Sequence, residues 1–244
     1  MAVFHTYLDT KKESDKKRFL KFAGWFADKN NQDESEELGI RWLTDVSLPQ
    51  YKNKGPWQSA FSQSRGISIL LRAYQITKDE KFIKIAEKAL KPFTISCEKG
   101  GVCTFSQWGP FYEEYTSTVP VLVLNGMIFA LCGVYDYVRA VPDNEEAKSI
   151  FEQGIKTLEN ILAEYDLEFW SKYNLCSANW YPLIDPATIG YQRLHINQLN
   201  MLYQITNIKL FKDYADKFNK QDKFINHVKM YIIKFKALKK IGRL

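Results

Sequence analysis

The string Tyr-Gln-Ile-Thr occurs twice, at 74–77 and 203–206, and the residues around it repeat as well. In both copies an apolar stretch precedes the string, a Phe follows the Tyr by eight positions, and an Ala follows by twelve. This spacing predicts an apolar helix, a polar turn after the Thr, and a second, amphipathic helix. A third, less regular copy runs through 125–138, a turn at Pro142, and 145–165. Hairpins of this kind stack side by side, so the predicted fold class is all-α, an incomplete or closed α/α toroid.

We expect residues 1–244 to form one domain, because a toroid of hairpins takes up that length around one core. An apolar run at 119–138 is long enough for a membrane span, but Asn125 and Gly126 interrupt it and Asp136 lies near its end. The run therefore predicts a buried core helix. The N-terminus continues into Lys and Glu, so no secretory signal is expected and a cytoplasmic location is favoured.

The formal net charge of +6 comes from the C-terminus. Residues 220–244 carry seven Lys, one Arg and one Asp, whereas residues 1–219 sum to −1. A nucleic-acid partner is not expected, because the body of the chain lacks clustered Lys and Arg. The C-terminal pattern predicts a basic amphipathic helix that either docks with a solvated Lys face or contacts a membrane surface or a polyanion. Its apolar row is Phe224, Val228, Tyr231, Ile232, Phe235 and Leu238.

Three loops rich in Gly, Pro, Trp and Tyr separate the predicted hairpins, at 51–58, 93–115 and 169–191. Loops of this length inside a compact domain are commonly functional, so we expect these three to line one face. In the second loop, Cys97 and Cys103 flank Glu-Lys-Gly-Gly-Val, which predicts a small β-hairpin turn and leaves a cross-strand disulfide open. The three His are scattered and no Cys pair has finger-like spacing, so no metal site is predicted.

Polar groups stand immediately before three of the apolar helices, within 57–66, 111–115 and 190–198. In a toroid of hairpins the N-terminal ends of the inner helices face one cavity, where free backbone N–H groups favour an anion. Aromatic side chains provide flat faces against which sugar rings stack. An acidic sugar would therefore suit this cavity.

Several of these residues also have a purely structural interpretation. Tyr115 and Tyr191 would then be ordinary buried tyrosines with paired hydroxyls, and His195 a core histidine. Glu113 and Glu114 would be a solvated first-turn pair that completes a helix N-terminus. Residue types alone favour this interpretation over a catalytic one.

The three segments resemble the C-terminal catalytic domain of the glucuronyl 5-epimerases, which convert glucuronate to iduronate within heparosan-type chains. The order and approximate spacing of the matching strings are kept from about Trp42 to Phe218. The Tyr-Glu-Glu-Tyr, Leu-Asn-Gly and His-Ile-Asn-Gln-Leu strings are specific in combination and weak singly. The matching strings are Trp57-Gln-Ser-Ala60 with Gln63, Leu71-Arg-Ala-Tyr74, Tyr112-Glu-Glu-Tyr115, Val123-Leu-Asn-Gly126, Gly133-Val-Tyr-Asp136, Tyr173-Asn-Leu175, and Tyr191 with His195-Ile-Asn-Gln-Leu199.

The resemblance implies a set of catalytic residues around the reacting uronate: Glu114, Tyr115, Tyr173 and Tyr191. Inversion at carbon 5 requires a base on one face of the ring and an acid on the other, because the removed and returned protons lie on opposite sides. A carboxylate and a phenol meet this requirement, although a Tyr base would need a cation to lower its pKa. Fixed donors must also stabilise the charge of the enolate-like intermediate. The predicted substrate-binding residues are Trp57, Gln63, Arg65, Arg193, His195 and Asn197, with Arg65 or Arg193 as the cation.

The sequence departs from the family pattern at several of these positions. Thr116 replaces a Pro, Arg65 stands where a Gln is usual, and Cys176 and Ser177 replace a basic pair. Residues 192–194 also differ from the small polar and His residues of the family. Substrate contacts are therefore expected to be redistributed, which puts the identity of the uronan in question more than the reaction. The β-rich region that precedes the helical domain in animal members is not expected here, so a partner could supply part of the cleft wall.

The sequence therefore predicts a cofactor-independent isomerase that inverts carbon 5 of a uronate residue within an acidic polysaccharide. A polysaccharide lyase is the nearest alternative, because the same proton abstraction followed by loss of the 4-linked sugar cleaves the chain. A non-catalytic glycan-binding protein is another, and the altered Cys176-Ser177 segment keeps it open. The expected partner is the acidic polysaccharide, and a homodimer is compatible with the sequence.

Overall fold

The computed structural model describes residues 2–244, and these are mainly helical. Two short antiparallel hairpins, β1–β2 and β3–β4, and several single 3₁₀ turns complete the structure. The helices are α1 (Ala2–Thr10), α2 (Glu13–Ala27), α3 (Ala60–Thr77), α4 (Lys81–Lys88), α5 (Leu124–Ala140), α6 (Glu145–Ile161), α7 (Ile189–Thr206), α8 (Lys209–Gln221) and α9 (Phe224–Lys240). The strands are β1 (Asp33–Ser35), β2 (Gly39–Arg41), β3 (Cys103–Ser106) and β4 (Gly109–Tyr112).

The three predicted helical hairpins are confirmed as α3–α4, α5–α6 and α7–α8. Helices α3, α5 and α7 pack side by side as an inner row, and α2 extends this row by packing against α3. Helices α4, α6 and α8 each pack on the outside of their own inner helix. The architecture is therefore that of an α/α toroid built as an arc of hairpins, which confirms the predicted fold class.

The two copies of the repeated string are bounded by the same local devices. Ser59 caps α3 by accepting a hydrogen bond from the Ser62 N–H, and Thr188 caps α7 by accepting one from the Tyr191 N–H. Both helices end in a left-handed residue, Lys78 at φ 59° and Asn207 at φ 57°. Shared caps and shared ends explain why both inner helices have 18 residues.

Helix α5 is the centre of the core, as the apolar run at 119–138 predicted. A Cβ atom at Gly133 would lie 2.4 Å from the backbone oxygen of Ser64, so the missing side chain allows α3 and α5 to approach closely. The helix begins only at Leu124, and residues 113–123 before it lie outside helices and strands, with Leu122 in the left-handed region at φ 54°. Within residues 2–244, no helix combines the length and apolar character needed to cross a bilayer.

The predicted β-hairpin is present but lies further along the chain than expected. Cys97 belongs to a 3₁₀ turn, while Cys103 begins β3, which pairs with β4 around a turn at Gln107 and Trp108. The Gly-Gly pair after Cys97 does not turn a hairpin, because Ser96 and Cys103 on either side of it pair in parallel rather than antiparallel fashion. Both cysteines are free thiols. The hairpin β1–β2 and the helix pair α1–α2 were not anticipated from the sequence.

The predicted C-terminal amphipathic helix is confirmed as α9, but the apolar row identified in the sequence is not the face that docks. Phe224 is 81% exposed and Phe235 is 59% exposed. Met230 is instead fully buried and packs with Trp170 and Ala187. The exposed row is Phe224, Ile225, Val228, Tyr231, Ile232 and Phe235. We call these six residues the α9 apolar stripe.

Candidate functional site

The loops that precede the inner helices meet at one end of the arc, as the sequence predicted. The Trp57 and Tyr115 rings are 5.5 Å apart, and the Tyr115 and Tyr173 hydroxyls are 3.4 Å apart. The Tyr173 and Tyr191 rings are in edge contact with centroids 4.9 Å apart. A chain of four aromatic side chains therefore joins the N-terminal ends of α3, α5 and α7.

A cavity of about 340 Å³ opens among these tyrosines. We call it the tyrosine cavity. Its walls come from the loop before α3, the loop before α5, the loop before α7, and the C-terminal segment that begins with α9. The lining residues are Gln50, Tyr51, Tyr115, Tyr173, Tyr181, Asp185, Thr188, Tyr191, Lys234, Leu238, Ile241 and Arg243.

Tyr173 and Tyr191 lie far from Tyr115 in the sequence, and local hydrogen bonds position both of them. Tyr191 is in the first turn of α7, three positions after the Thr188 cap, and 37% of its surface is exposed. The Tyr173 N–H donates to the Asp185 carbonyl at 2.8 Å, and the Tyr173 carbonyl accepts from the Leu124 N–H at 3.3 Å. The start of α5 therefore holds Tyr173 against Tyr191.

Glu114 lies beside the tyrosine cavity and is not one of its lining residues. Its carboxylate accepts a hydrogen bond from the Asn125 side chain at 3.3 Å. A Cβ atom at Gly126 would lie 2.4 Å from the Glu114 Cβ, so the glycine provides the space that this side chain occupies. Burial raises the pKa of the Glu114 carboxyl, and hydrogen bonds with Tyr115 and Asn125 oppose that rise.

The pKa values of the buried tyrosines are raised. For Tyr115 and Tyr173, burial is the main cause, and the negative charge of Glu114 raises both pKa values further. Both phenols are therefore protonated at neutral pH and can donate a proton. Acting as a base, either would need an adjacent positive charge.

The adjacent residue Glu113 has a structural role. It is fully buried and accepts hydrogen bonds from the Thr104 hydroxyl and from the Val121 and Leu122 N–H groups. Burial raises the pKa of Glu113 to about 7, although these hydrogen bonds oppose the rise. Glu113 thus fixes the strand before Glu114 to the segment before α5.

A polar network behind the tyrosines was not predicted from the sequence. The Asn174 amide donates to the Tyr181 hydroxyl at 2.8 Å and to the Tyr51 hydroxyl at 3.2 Å. The Tyr181 hydroxyl donates to Asp185 at 2.7 Å, and the Lys234 ammonium donates to the other Asp185 oxygen at 2.6 Å. The sequence predicted that the loop 169–191 is functional, but no spacing within it indicates these partners.

Two predicted substrate-binding residues are buried in structural positions. Gln63 is 0% exposed, and its amide donates to the Ile40 and Ala89 carbonyls. His195 is also 0% exposed, with its Nδ1 2.9 Å from the Ser171 hydroxyl. Burial lowers the pKa of His195 to about 3. Neither side chain reaches the tyrosine cavity, because each faces the outer layer or a neighbouring loop.

The two arginines predicted as the cation of the site lie elsewhere. Arg65 stacks against the Phe61 and Phe129 rings, where burial lowers its pKa. Arg193 is exposed and forms an ion pair with Asp222 at 2.9 Å.

Two further predicted substrate-binding residues have different surroundings. Asn197 is exposed on α7, six positions after Tyr191. Trp57 alone of the predicted substrate-binding residues touches the catalytic candidates, through Tyr115. Trp57 also lines a second cavity of about 660 Å³, together with Lys52 and Lys54.

Charged and sulfur side chains that commonly bind metals are dispersed in the structure. In the part of the chain that the structure describes, no three His, Cys, Asp or Glu side chains are grouped so that they could hold a metal ion. Cys97 lies in the 3₁₀ turn before β3 and Cys103 is the first residue of β3, and burial raises the pKa of both thiols.

The family model described as the D-glucuronyl C5-epimerase C-terminus matches residues 35–220. The chain is also 30% identical over 220 residues to D-glucuronyl C5-epimerase of Caenorhabditis elegans, an alignment that covers 85% of this chain and 35% of that protein. It is 28% identical over 230 residues to an uncharacterized protein of Methanocaldococcus jannaschii, covering 88% and 72% respectively. The chain thus spans about a third of the length of the nematode relative.

The structure is similar to that of a cellobiose 2-epimerase from Bacillus thermoamylovorans, with a TM-score of 0.60. The superposition covers 90% of this chain and 56% of that one at 14% sequence identity, so it shows the fold alone. The family match contains the three segments that meet at the tyrosine cavity and ends before α9. On the family model, and in agreement with the resemblance seen in the sequence, this chain belongs to the D-glucuronyl C5-epimerase C-terminus family.

Proposed function

We propose that this protein is a carbohydrate epimerase that inverts carbon 5 of a uronate residue within an acidic polysaccharide, without a cofactor. The observation that carries the proposal is the juxtaposition of a half-buried carboxylate, Glu114, with Tyr115, Tyr173 and Tyr191 at the end of the inner helices. Membership of the epimerase family supports it. The same four residues were predicted to be catalytic from the sequence, and that assignment is still a prediction.

Epimerisation at carbon 5 needs two proton-transfer groups on opposite faces of the sugar ring. In the proposed reaction, the Glu114 carboxylate takes the carbon-5 proton from one face. The bond electrons then delocalise into the sugar carboxyl group, and a protonated phenol returns a proton to the other face. Tyr191 is the proposed acid, because it is the most exposed of the three tyrosines and lines the tyrosine cavity.

The proposal of a polymer substrate rests on the second cavity beside the first. Trp57 touches Tyr115, which lines the tyrosine cavity, and itself lines the neighbouring cavity. Lys52 and Lys54 add positive charge there against one lining carboxylate, Glu98, and Lys52 lies 4.0 Å from the Trp180 ring centroid. A Trp ring and two lysines suit an adjoining sugar of an acidic chain.

The reaction is tested by incubating candidate uronans with the protein in deuterated water and measuring deuterium at carbon 5 by NMR. An epimerase incorporates deuterium and produces both epimers, without cleaving the chain. A lyase instead produces the ultraviolet absorbance of an unsaturated uronate. Glu114→Gln should remove label uptake in one direction, because the amide is nearly isosteric but cannot accept the proton.

The roles of the two residues are tested by combining their substitutions. A Tyr191→Phe, Glu114→Gln double variant that still incorporates deuterium at the wild-type rate would exclude both residues as the proton-transfer pair. Binding of a uronan without label uptake by the wild-type protein would support a glycan-binding protein instead.

A further inference from the structure

The negative and positive side chains around the tyrosine cavity come from different parts of the chain. Among the described residues that line it, the anionic side chain is Asp185, and the cationic ones are Lys234 and Arg243. Glu114 adds a second negative charge beside the wall. A sugar carboxylate that entered a cavity with these two anions alone would be repelled. The positive charge comes from residues beyond 220, outside the part of the chain that matches the family.

Lys234 is held at the cavity by contacts on two sides. Its ammonium donates to Asp185 at 2.6 Å, and both side chains are largely buried. The same ammonium lies 5.5 Å from the Tyr173 ring centroid. An ammonium group has three N–H donors, and Asp185 accepts one of them. Lys234 thus retains donors for a ligand.

Arg243 reaches the cavity because α9 ends in a tight reversal. The Gly242 N–H donates to the Lys239 carbonyl, and the Arg243 N–H donates to the Leu238 carbonyl. These two bonds form a Schellman motif, and Gly242 has the positive φ of 67° that the motif requires. The reversal turns the chain back so that Arg243 lines the tyrosine cavity. Within residues 2–244, the Arg243 guanidinium forms no ion pair.

The position of α9 is fixed by contacts at its beginning. Asp222, just before α9, accepts hydrogen bonds from Arg193 on α7 at 2.9 Å and from His227 at 2.5 Å. The Met230 side chain of α9 is fully buried. These contacts, together with the Lys234–Asp185 ion pair, attach the basic face of α9 to the loop that carries Tyr173.

We propose that Lys234 and Arg243 form the anion-binding part of the substrate site, where they bind the carboxylate of the sugar in the tyrosine cavity. This inference rests on the proposed function for the identity of the ligand as a uronate. The proposal places the positive charge of the site in the C-terminal segment, on Lys234 and Arg243. The sequence predicted Arg65 or Arg193 for this role. A guanidinium binds a carboxylate through two parallel N–H groups, so Arg243 supplies the larger share of the affinity.

The test compares the binding of two oligosaccharides by calorimetry. One contains glucuronate, and the other is the same oligosaccharide with its carboxyl groups reduced to alcohols. We expect Arg243→Gln to weaken binding of the glucuronate form by tenfold or more and to raise KM more than it lowers kcat. Binding of the reduced form should not change. Lys236→Gln is the matched control, because it removes one positive charge from an exposed position of the same helix.

Lys234→Gln alone would leave Asp185 buried without a counter-charge and could unfold the loop. The double variant Lys234→Gln, Asp185→Asn avoids this. Because Asp185→Asn alone removes a repelling anion, the double variant is compared with that single variant, and it should bind the glucuronate form more weakly. The inference is overturned if Arg243→Gln binds that form as tightly as Lys236→Gln does, if the double variant binds it as tightly as Asp185→Asn does, or if the wild-type protein does not prefer it over the reduced form.

The binding measurements separate this inference from the proposed reaction. Selective loss of binding without deuterium uptake at carbon 5 by the wild-type protein supports the anion site and contradicts the epimerase. Deuterium uptake with unchanged binding in both variants supports the epimerase and overturns the anion site.

Discussion

The hairpins α3–α4 and α7–α8 share a framework down to single hydrogen bonds. Counted from the repeated string, Gln63 and Gln192 occupy the same position, and both are fully buried. Gln63 donates to the carbonyl of Ala89 at 2.9 Å, and Gln192 donates to the carbonyl of Phe218 at 3.0 Å. Ala89 and Phe218 also occupy the same position in their copies. Each glutamine thus joins its inner helix to the chain at its outer helix.

The two hairpins differ at the residues around this shared glutamine. Ser62 in the first copy corresponds to Tyr191 in the second, and Gly66 corresponds to His195. A Cβ atom at Gly66 would lie 2.6 Å from the Trp42 ring, so Trp42 fills the space next to α3 at that position. The comparison indicates that the scaffold is repeated, whereas only the second copy places a first-turn side chain, Tyr191, in the lining of the tyrosine cavity.

The largest expected effect concerns this first-turn difference. Tyr191→Phe removes one hydroxyl from a partly exposed ring and should lower turnover by about 10² to 10⁴, because positioned proton transfer is lost. Tyr203→Phe is the control, since it removes a hydroxyl from the same helix away from the cavity. Rates of carbon-5 exchange and thermal unfolding are measured for both variants. Equal rates in the two variants would mean that Tyr191 is not a catalytic residue.

The shared glutamines provide the next test. Gln63→Ala and Gln192→Ala should each lower the free energy of unfolding by about 1–3 kcal/mol, because buried carbonyls lose their donors. Gln192 also accepts hydrogen bonds from the Ser171 N–H and hydroxyl, two residues before Tyr173. We therefore expect only Gln192→Ala to reduce turnover at a temperature where both variants are folded. Denaturant unfolding and activity measured side by side decide this, and a matching loss of activity in Gln63→Ala would contradict it.

The buried His195 should make the free energy of unfolding depend on pH. The first hairpin has no equivalent group, because Gly66 occupies that position. The pKa of His195 is lowered to about 3 in the folded protein, so the unfolded chain binds a proton at higher pH than the folded one. This contribution to stability is complete above pH about 6.5 and is lost as pH falls, by about 2 kcal/mol at pH 5. His195→Gln should remove that part of the slope, and His5→Gln at the exposed N-terminal helix should not. Unfolding curves at pH 7 and pH 5 measure it; parallel slopes in wild type and His195→Gln would contradict it.

The smallest effect concerns the helix ends. Lys78 and Asn207 both have positive φ, a conformation that Asn adopts more readily than Lys. Lys78→Asn should raise the free energy of unfolding by about 0.5–1 kcal/mol, and Asn207→Lys should lower it by a similar amount. Denaturant unfolding of the two variants should shift in opposite directions. Shifts of the same sign would show that the two helix ends are not equivalent.

The repeated framework could be predicted from the sequence because apolar spacing reports directly on helical packing. The string at 74–77 and 203–206 located two hairpins correctly, and the apolar run at 119–138 located the central helix. The aromatic contacts at the tyrosine cavity also followed, since loops before parallel inner helices meet at one end.

The roles of individual polar residues could not be predicted in the same way. In a sequence, a glutamine near the start of an apolar helix looks the same whether its amide binds a ligand or a backbone carbonyl. Gln63 and Gln192 are buried, and both bind backbone carbonyls. The docked face of α9 was also assigned wrongly, because an ion pair with Asp185 and the burial of Met230 determine it rather than the longest apolar row. Such choices depend on partners far away in the sequence.

The α9 apolar stripe has a consequence for the colloidal behaviour of the protein. Residues 223–244 carry six Lys and one Arg and no acidic residue, so two copies that approach stripe to stripe repel each other. That repulsion extends over about 30 Å at 0.01 M salt but only about 8 Å at 0.15 M salt. Low ionic strength should therefore keep the protein dispersed, and added salt should promote its self-association through exposed hydrocarbon.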